Sequence, residues 1–367
     1  LAAILLLTAC AVQPEPTTAT QPPVISAPVA QPTQPTQQTE PPATTEPAPE
    51  TQPTEAPIPQ QEAQPVMGLS VLQGGQDVTG LLADANVYSK TQLTAEQSLT
   101  VESTQAFSSL YFIWDAIPGS YTLEWEGGSI RCGENCFLHE YVTLPEAADH
   151  VQITFAEENT RTLCDISAYT EGYAPADVQI WQPPLEGGAD ILLFATHSDD
   201  DQLFFAGLFP LYARELGYRV QVAYMTDHRE DDLARSHEVL NGLWITGATN
   251  YPVFGSFPDF RIDDLAQSYA EYLRRGYSEE ELLSYVVAQI RRFDPLVVLG
   301  HDFKGEYGHG MHMVYADLVA KAVDISADAG QFPDSAETYG TWDVPKTYIH
   351  LYETNPIVID YDQPLES

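Results

Sequence analysis

The sequence predicts an α/β fold: a doubly wound, mostly parallel Rossmann-like sheet, preceded by an all-β sandwich and a disordered N-terminal stalk. Three observations carry this. From about Trp181 onward, apolar runs of strand length alternate with amphipathic stretches, the pattern of βαβ units. From about Val66 to Gln179, short β-like runs are separated by turn signals such as Pro118-Gly119 and Gly127-Gly128. Before them lies a tract of Pro, Thr, Gln, Ala and Glu with scarcely any large apolar residue, which cannot bury enough surface to offset its ordering entropy.

Composition narrows the function classes. At 367 residues the chain holds two domains plus tails. A net charge of −38 excludes the basic face that nucleic-acid binding needs, and it argues against adhesion to anionic lipid. Four cysteines are too few for a disulfide scaffold.

Residues 1–10 are apolar and end Leu7-Thr8-Ala9-Cys10, which is similar to a bacterial lipoprotein signal with Cys10 as the lipidated residue. The absent n-region and initial Met read as a truncated start, and the run is too short to span a bilayer. A buried helix fragment is the alternative. Residues 11–65 form the linker, whose upper reach in polyproline II form is of order 170 Å at ~3.1 Å per residue. No Lys or Arg precedes Lys90, so this stalk should stand off a membrane rather than lie on it. The expected location is the extracellular face of a bacterial membrane, with membrane contact only through the lipid on Cys10.

Residues 66–180 form the sandwich, with runs at Leu99–Val101, Leu110–Trp114, Tyr121–Trp125 and Val151–Phe155. Asp77 to Tyr88 faintly resembles the entry of galactose-binding-like sandwiches. Such a domain binds glycan or serves as a spacer packed on its neighbour, and the spacer is favoured. Among Cys132, Cys136 and Cys164, one disulfide is expected outside the cell, with a zinc knuckle as the alternative.

Residues 181–367 form the α/β domain. Strands are expected at Asp190–Ala195, Tyr218–Met225, Tyr251–Phe254, Leu296–Gly300 and Thr347–Tyr352. Helices are expected from Gln202 through Leu216, over Leu233–Ile245 with Gly247 as the stop, and over Glu279–Phe293 and Met311–Val323. Phe257 to Ser278 is an insertion suited to a lid or wall.

Two segments leaving strand ends carry the chemistry. The first strand runs into His197-Ser198-Asp199-Asp200-Asp201, and the fourth is followed by Tyr307-Gly308-His309-Gly310-Met311-His312. Ligands of doubly wound sheets bind beyond the carboxyl ends of the strands, where the strand order reverses. One Asp would suffice to cap the helix, whereas three adjacent carboxylates repel one another and call for a cation. Two His and an Asp with an open position is the donor set of a catalytic zinc site.

These residues resemble the PIG-L/LmbE family of zinc-dependent N-acetylglucosaminyl deacetylases over about Trp181 to Tyr352. The family's Ala-His-Pro-Asp-Asp-Glu motif appears as Thr196-His197-Ser198-Asp199-Asp200-Asp201, its Tyr-x-His-x-x-His pattern as Tyr307 to His312, and an Arg-x-x-Glu pair as Arg235 to Glu238. The resemblance implies that His197, Asp200 and His312 hold Zn²⁺ and that Asp199 is the general base toward metal-bound water. It implies that imidazolium His309 steadies the oxyanion or protonates the amine, that Tyr307 donates a hydrogen bond there, and that Arg235 grips substrate hydroxyls. Ser198 for Pro alters stiffness, and Asp201 for Glu shortens a supporting side chain. Gly310-Met311 for Pro-Asp removes a carboxylate that orients the neighbouring histidine.

Blander readings stand beside these. His309 and His312 could be capping or surface residues, Tyr307 a loop aromatic, and Arg235 with Glu238 a helix salt pair. Asp227 and His228 end the second strand without an assigned role, and His301 could simply begin a turn. His139, His150, His237 and His350 read as structural or solvated. The function expected is zinc-dependent removal of the N-acetyl group from an N-acetylglucosamine-type sugar or glycoconjugate. The alternatives are a metal amidase for another acyl group and a non-catalytic surface glycan-binding lipoprotein.

Overall fold

The computed structural model describes residues 5–9, 61–155, 160–226 and 233–359. Cys10, the linker as far as residue 60, and Asp227 with His228 lie outside the described residues. The strand β1, Leu5–Ala9, runs within the stretch read as a lipoprotein signal. No helix among the described residues is long and apolar enough to cross a membrane.

The β-rich region contains β2 (Ser70–Gln73), β3 (Gln76–Asp77), the short helix α1 (Thr79–Leu82), β4 (Thr91–Leu93), β5 (Leu99–Trp114), β6 (Tyr121–Trp125), β7 (Gly128–Cys132), β8 (His139–Phe155) and β9 (Arg161–Tyr169). All pairings among them are antiparallel. The two long strands β5 and β8 organise the sheet. Their paired register breaks between Glu102 and Phe107, where bulges re-aim both strands. The N-terminal part of β5 pairs with β2, and its C-terminal part pairs with β9. The sheet thereby folds over, so that Trp114 meets Tyr121 and Phe155 across the interior at ring distances of 5.2 and 6.3 Å. Where a sandwich was expected, the strands form one eight-stranded antiparallel sheet.

Two expectations are corrected here. The linker becomes ordered before residue 66: Ala63 is buried, its N–H donates to the Tyr173 carbonyl at 2.9 Å, and Pro65 bridges Tyr169. Backbone pairing to the end of β9 overrides the local composition. Cys132, Cys136 and Cys164 are all free thiols. Cys132 and Cys164 are buried, and burial pushes both thiols up to about 12, so neither forms thiolate readily at neutral pH.

The second sheet holds β10 (Ile191–Ala195), β11 (Val220–Thr226), β12 (Val253–Phe257), β13 (Val297–Gly300), β14 (Lys346–His350) and β15 (Pro356–Ile359), with β1 between the last two. Its order is β12-β11-β10-β13-β14-β1-β15. The first five are parallel to their neighbours, whereas β1 runs antiparallel to both β14 and β15. The chain's larger sheet is therefore antiparallel, and the expected parallel character belongs to this five-strand core. Successive crossovers go one way from β10 to β11 and β12, then the other way to β13 and β14, so the switch point lies between β10 and β13.

β10 is buried along its whole length, as a central parallel strand must be. Alternation sends Ile191, Leu193 and Ala195 into one core and Leu192 and Phe194 into the other. The first core is continuous with the interior of the β-rich region through Leu110, Phe112, Leu123 and Leu138. Phe137 packs at a tilt against Tyr251 with ring centroids 4.8 Å apart, and the Leu138 backbone N–H donates to the Tyr251 hydroxyl oxygen at 3.1 Å. The β-rich region is thus packed on the α/β region.

The second core is covered by α4 (Leu265–Arg274), α5 (Glu279–Phe293) and α6 (Gly310–Ile325). Ser278 and Glu281 form a capping box at the start of α5, and Asp294 closes it in the left-handed conformation. Helices α2 (Asp200–Leu203), α3 (Leu233–Thr246) and α7 (Pro333–Tyr339) complete the set. The single helix expected from Gln202 to Leu216 is instead α2 followed by a π-helical stretch, Leu208–Glu215. The insertion Phe257 to Ser278 contains α4 and packs onto the start of α6.

Candidate functional site

The site lies at the switch point. The turn after β10 is tied by Asp200, whose Oδ2 accepts from the backbone N–H of His197 at 2.6 Å and of Thr196 at 3.1 Å. Asp200 therefore ties the loop before it rather than capping the helix that follows, which has no side-chain cap, and it also faces the histidines. His197 Nδ1 lies 3.2 Å from Asp200 Oδ2 and 3.0 Å from His312 Nε2, while His312 Nε2 lies 3.3 Å from Asp200 Oδ1. All three side chains are buried. A tetrahedral centre with bonds of ~2.1 Å spaces its ligand atoms roughly 3.4 Å apart. His197 Nδ1 and His312 Nε2 lie near that spacing, and Asp200 turns a different oxygen toward each of them.

Two overlapping groups have metal-ligand spacing: His197 with His309 and His312, and Asp200 with His301 and His312. His312 belongs to both. Asp200 Oδ1 makes no hydrogen bond despite its burial, and such an oxygen needs a cation or donor. Burial opposes charge on Asp200, but the imidazoles of His301, His197 and His312 outweigh it and hold its carboxyl well below the usual range. Burial likewise opposes charge on His197, yet Asp200 and Asp259 raise it to about 9. The same carboxylates that hold a proton here would hold a divalent cation.

A carboxylate absent from the predicted set anchors the histidines. Glu306 is buried, and its Oε2 lies 2.8 Å from both His301 Nδ1 and His312 Nδ1. Its Oε1 lies 2.6 Å from His350 Nδ1 and 3.2 Å from the Asp302 N–H. His301 stacks on His312 at 4.2 Å. The Thr196 N–H points at His301 Nε2 at 3.0 Å, which places the ring proton on Nδ1, facing Glu306. Asp259 of the insertion lies 3.2 Å from His197 Nε2. His301, Glu306, His350 and Asp259 were the residues missed. One signal could have found the histidines: β10, β13 and β14 are neighbours, and each ends at or just before a histidine.

The remaining predicted residues gather less uniformly. His309 stacks on His197 at 4.9 Å and sits edge-on to His312 at 4.7 Å. Neither of its ring nitrogens has a hydrogen bond, consistent with the missing carboxylate at Met311. Burial first, then the neighbouring His197 and His312 rings, lowers its pKa to about 4, which favours the neutral ring over the imidazolium expected. A bound cation pushes in the same direction. Tyr307 is 62% exposed at the rim, with its ring parallel to His309 at 5.8 Å and Arg261 over its other side. Its φ of 46° is left-handed, a strained state for a non-glycine residue. Gly305 makes this turn possible, because a Cβ there would meet the His309 carbonyl oxygen at 2.3 Å.

Asp199 and Arg235 pair with each other at 2.7 Å, and Arg235 also reaches Glu238 at 3.3 Å. The salt-pair reading of Arg235 and Glu238 thus holds, with Asp199 as a stronger partner. Asp201 is buried, accepts from Gln202 at 2.6 Å, and belongs to neither metal-spaced group. Gly310 and Met311 follow from the insertion. A Cβ at Gly310 would meet Ser268 Oγ at 2.3 Å, and Met311 Sδ accepts from the Phe260 N–H at 3.3 Å.

Comparison with known proteins follows the same segment. The family profile described as GlcNAc-PI de-N-acetylase (PIG-L) matches residues 192–323. A relative from Catenulispora acidiphila, named 1D-myo-inositol 2-acetamido-2-deoxy-alpha-D-glucopyranoside deacetylase 1, is 23% identical over 43% of this chain and 54% of its own length. One of the same name without the numeral, from Rhodococcus jostii, is 27% identical over 46% of this chain and 63% of its own. The chain spans about half to two thirds of the length of these curated relatives. Among solved structures, the N,N'-diacetylchitobiose deacetylase of Pyrococcus horikoshii aligns at 16% identity over 45% of this chain and 60% of its own, with a TM-score of 0.35.

Proposed function

With residues 192–323 a PIG-L/LmbE deacetylase-family domain, we propose that this protein hydrolyses the N-acetyl group of an N-acetylglucosamine-type sugar or glycoconjugate. The observation that supports this most directly is the triangle of His197, Asp200 and His312, with edges of 3.0 to 3.3 Å at the switch point of the sheet. The relatives' names point to the same substrate class, an N-acetylated glucosamine.

His197, Asp200 and His312 are the proposed Zn²⁺ ligands, and the ion would polarise the acetamide carbonyl and acidify a water. Asp199, 41% exposed at the mouth of the site, takes a proton from the attacking water. Arg235, paired to Asp199 and Glu238, holds that carboxylate in place and lies where substrate hydroxyls would approach. As the carbonyl carbon becomes tetrahedral, neutral His309 and Tyr307 donate hydrogen bonds to its oxygen. The C–N bond breaks, the proton passes to the amine nitrogen, and acetate leaves.

The test is acetate release from N-acetylglucosamine and its oligomers. Activity should be lost on chelation and restored by zinc. No release from any amino sugar by the zinc-loaded protein would refute the proposal. From the sequence alone we also propose a lipid anchor on Cys10 at the outer face of a bacterial membrane. Cys10→Ala should move the protein from the membrane to the soluble fraction.

A further inference from the structure

A cavity of about 280 Å³, lined by residues of both the β-rich region and the α/β region, has no part in the reaction described above. Its volume is close to the roughly 300 Å³ at which small-ligand sites begin. It adjoins the site directly: Ser198, between His197 and Asp199 in the chain, lines it, and so does Arg235, the partner of Asp199. Val239 and Phe254 line it from the α/β region, and Ile117 and Asn135 line it from the β-rich region. Ile117 is 51% exposed, a large apolar side chain left in water beside a cavity.

These features define the occupant. A lining that mixes apolar side chains with Asn135, Ser198 and Arg235 suits a hydroxylated ring, which presents C–H groups on its face and hydroxyls at its edge. Charge excludes a phosphorylated one: the only cation on the lining among the described residues is Arg235, already paired to Asp199 and Glu238. The remainder of the chain is strongly acidic.

We propose that this cavity seats the neutral ring attached to the amino sugar, with Ile117 and Asn135 of the β-rich region setting specificity for it. The inference rests on the deacetylase reading for the position of the amino sugar, and it gives the β-rich region a role beyond that of a spacer. Neither residue touches the histidine cluster, and both are exposed, so substitutions there leave the fold intact.

Ile117→Glu and Asn135→Ala are compared with wild type on N-acetylglucosamine and on N,N'-diacetylchitobiose. Ile117→Glu should raise KM for the two-ring substrate about tenfold, which corresponds to the loss of one good apolar contact. It should leave kcat unchanged and hold kcat/KM for the single ring within about twofold. Equal losses on both substrates, or none on either, would overturn the proposal. Calorimetric titration of the same proteins with N,N'-diacetylchitobiose separates this result from the deacetylase reading. If zinc-loaded wild type releases no acetate yet binds the dimer, and Ile117→Glu abolishes that binding, the subsite stands while the proposed reaction falls. If wild type neither binds nor turns over the dimer, the subsite falls as well.

Discussion

Replacing Glu306 by Gln tests how the histidine cluster is held. The carboxylate faces three imidazole nitrogens, those of His301 and His312 at 2.8 Å and that of His350 at 2.6 Å, plus the Asp302 N–H. A carboxylate has about four lone-pair directions, and four N–H-bearing nitrogens lie within 3.2 Å of its two oxygens. Glutamine keeps the shape but has one accepting oxygen, with two lone pairs, and an NH₂ that points further donors at donors. At least one imidazole must lose its partner or change tautomer. Whichever side of the amide faces His312, its ring is no longer fixed with Nε2 directed at Asp200. Removal of such an outer carboxylate costs roughly 10- to 100-fold in metal affinity, or about 1.4 to 2.7 kcal/mol. Competition against a chromogenic chelator measures zinc affinity, and denaturant unfolding of the metal-free protein measures the separate structural cost. Zinc affinity within about twofold of wild type would refute the argument that Glu306 orients His312.

Three further outcomes follow from the structure. Asp199→Ala should retain stoichiometric zinc and lose activity by roughly 10²- to 10⁴-fold, as for a general base, and loss of zinc in that variant would show that base and ligand have been exchanged. Gly310→Ala places a methyl against Ser268 Oγ and the Ile262 carbonyl, so it should destabilise the protein by about 1 to 3 kcal/mol in urea unfolding. The third concerns pH. His139 bonds Tyr111 and His237 at 2.7 and 2.8 Å inside the seam, and burial lowers the pKa of both histidines. Both are neutral when folded and take up protons near pH 6.5 when unfolded, so their contribution is complete above about pH 6.5 and is lost as pH falls below it. The slope is up to about 1.4 kcal/mol per pH unit for each histidine. Unfolding free energies at pH 7.5 and 5.5 should therefore differ more in wild type than in a His139→Gln, His237→Gln double variant, and equal differences would exclude this pair as the source.

The strands that build the site were legible because burial on both faces leaves a continuous apolar signature, as in Ile191 to Ala195. Alternation with helices pointed to a doubly wound sheet, in which the segments of His197 and His312 can meet at the switch point, while the strand order came only from the structure. What was not legible depended on distant contacts. Glu306 reads as one more loop acid until the fold brings His301, His312 and His350 around it. Gly310 reads as a departure until the insertion closes against it. The ordered end of the linker at Ala63 was hidden because its pairing partner, Tyr173, lies more than a hundred residues away. The π-helical stretch after α2 has no period that distinguishes it from an ordinary helix in sequence.

The core shared by Leu110 and Phe112 with Leu193 and Leu240 has a consequence for how this molecule can be divided. A fragment starting at Trp181 would carry every residue proposed for catalysis and would still show water one bare hydrophobic flank. Such a piece is poised to clump or to melt early, and heating the intact chain should produce one calorimetric peak where two separable modules would give a pair. Anyone trimming the protein for crystals or assays would do well to cut before Gln61 rather than at the apparent seam.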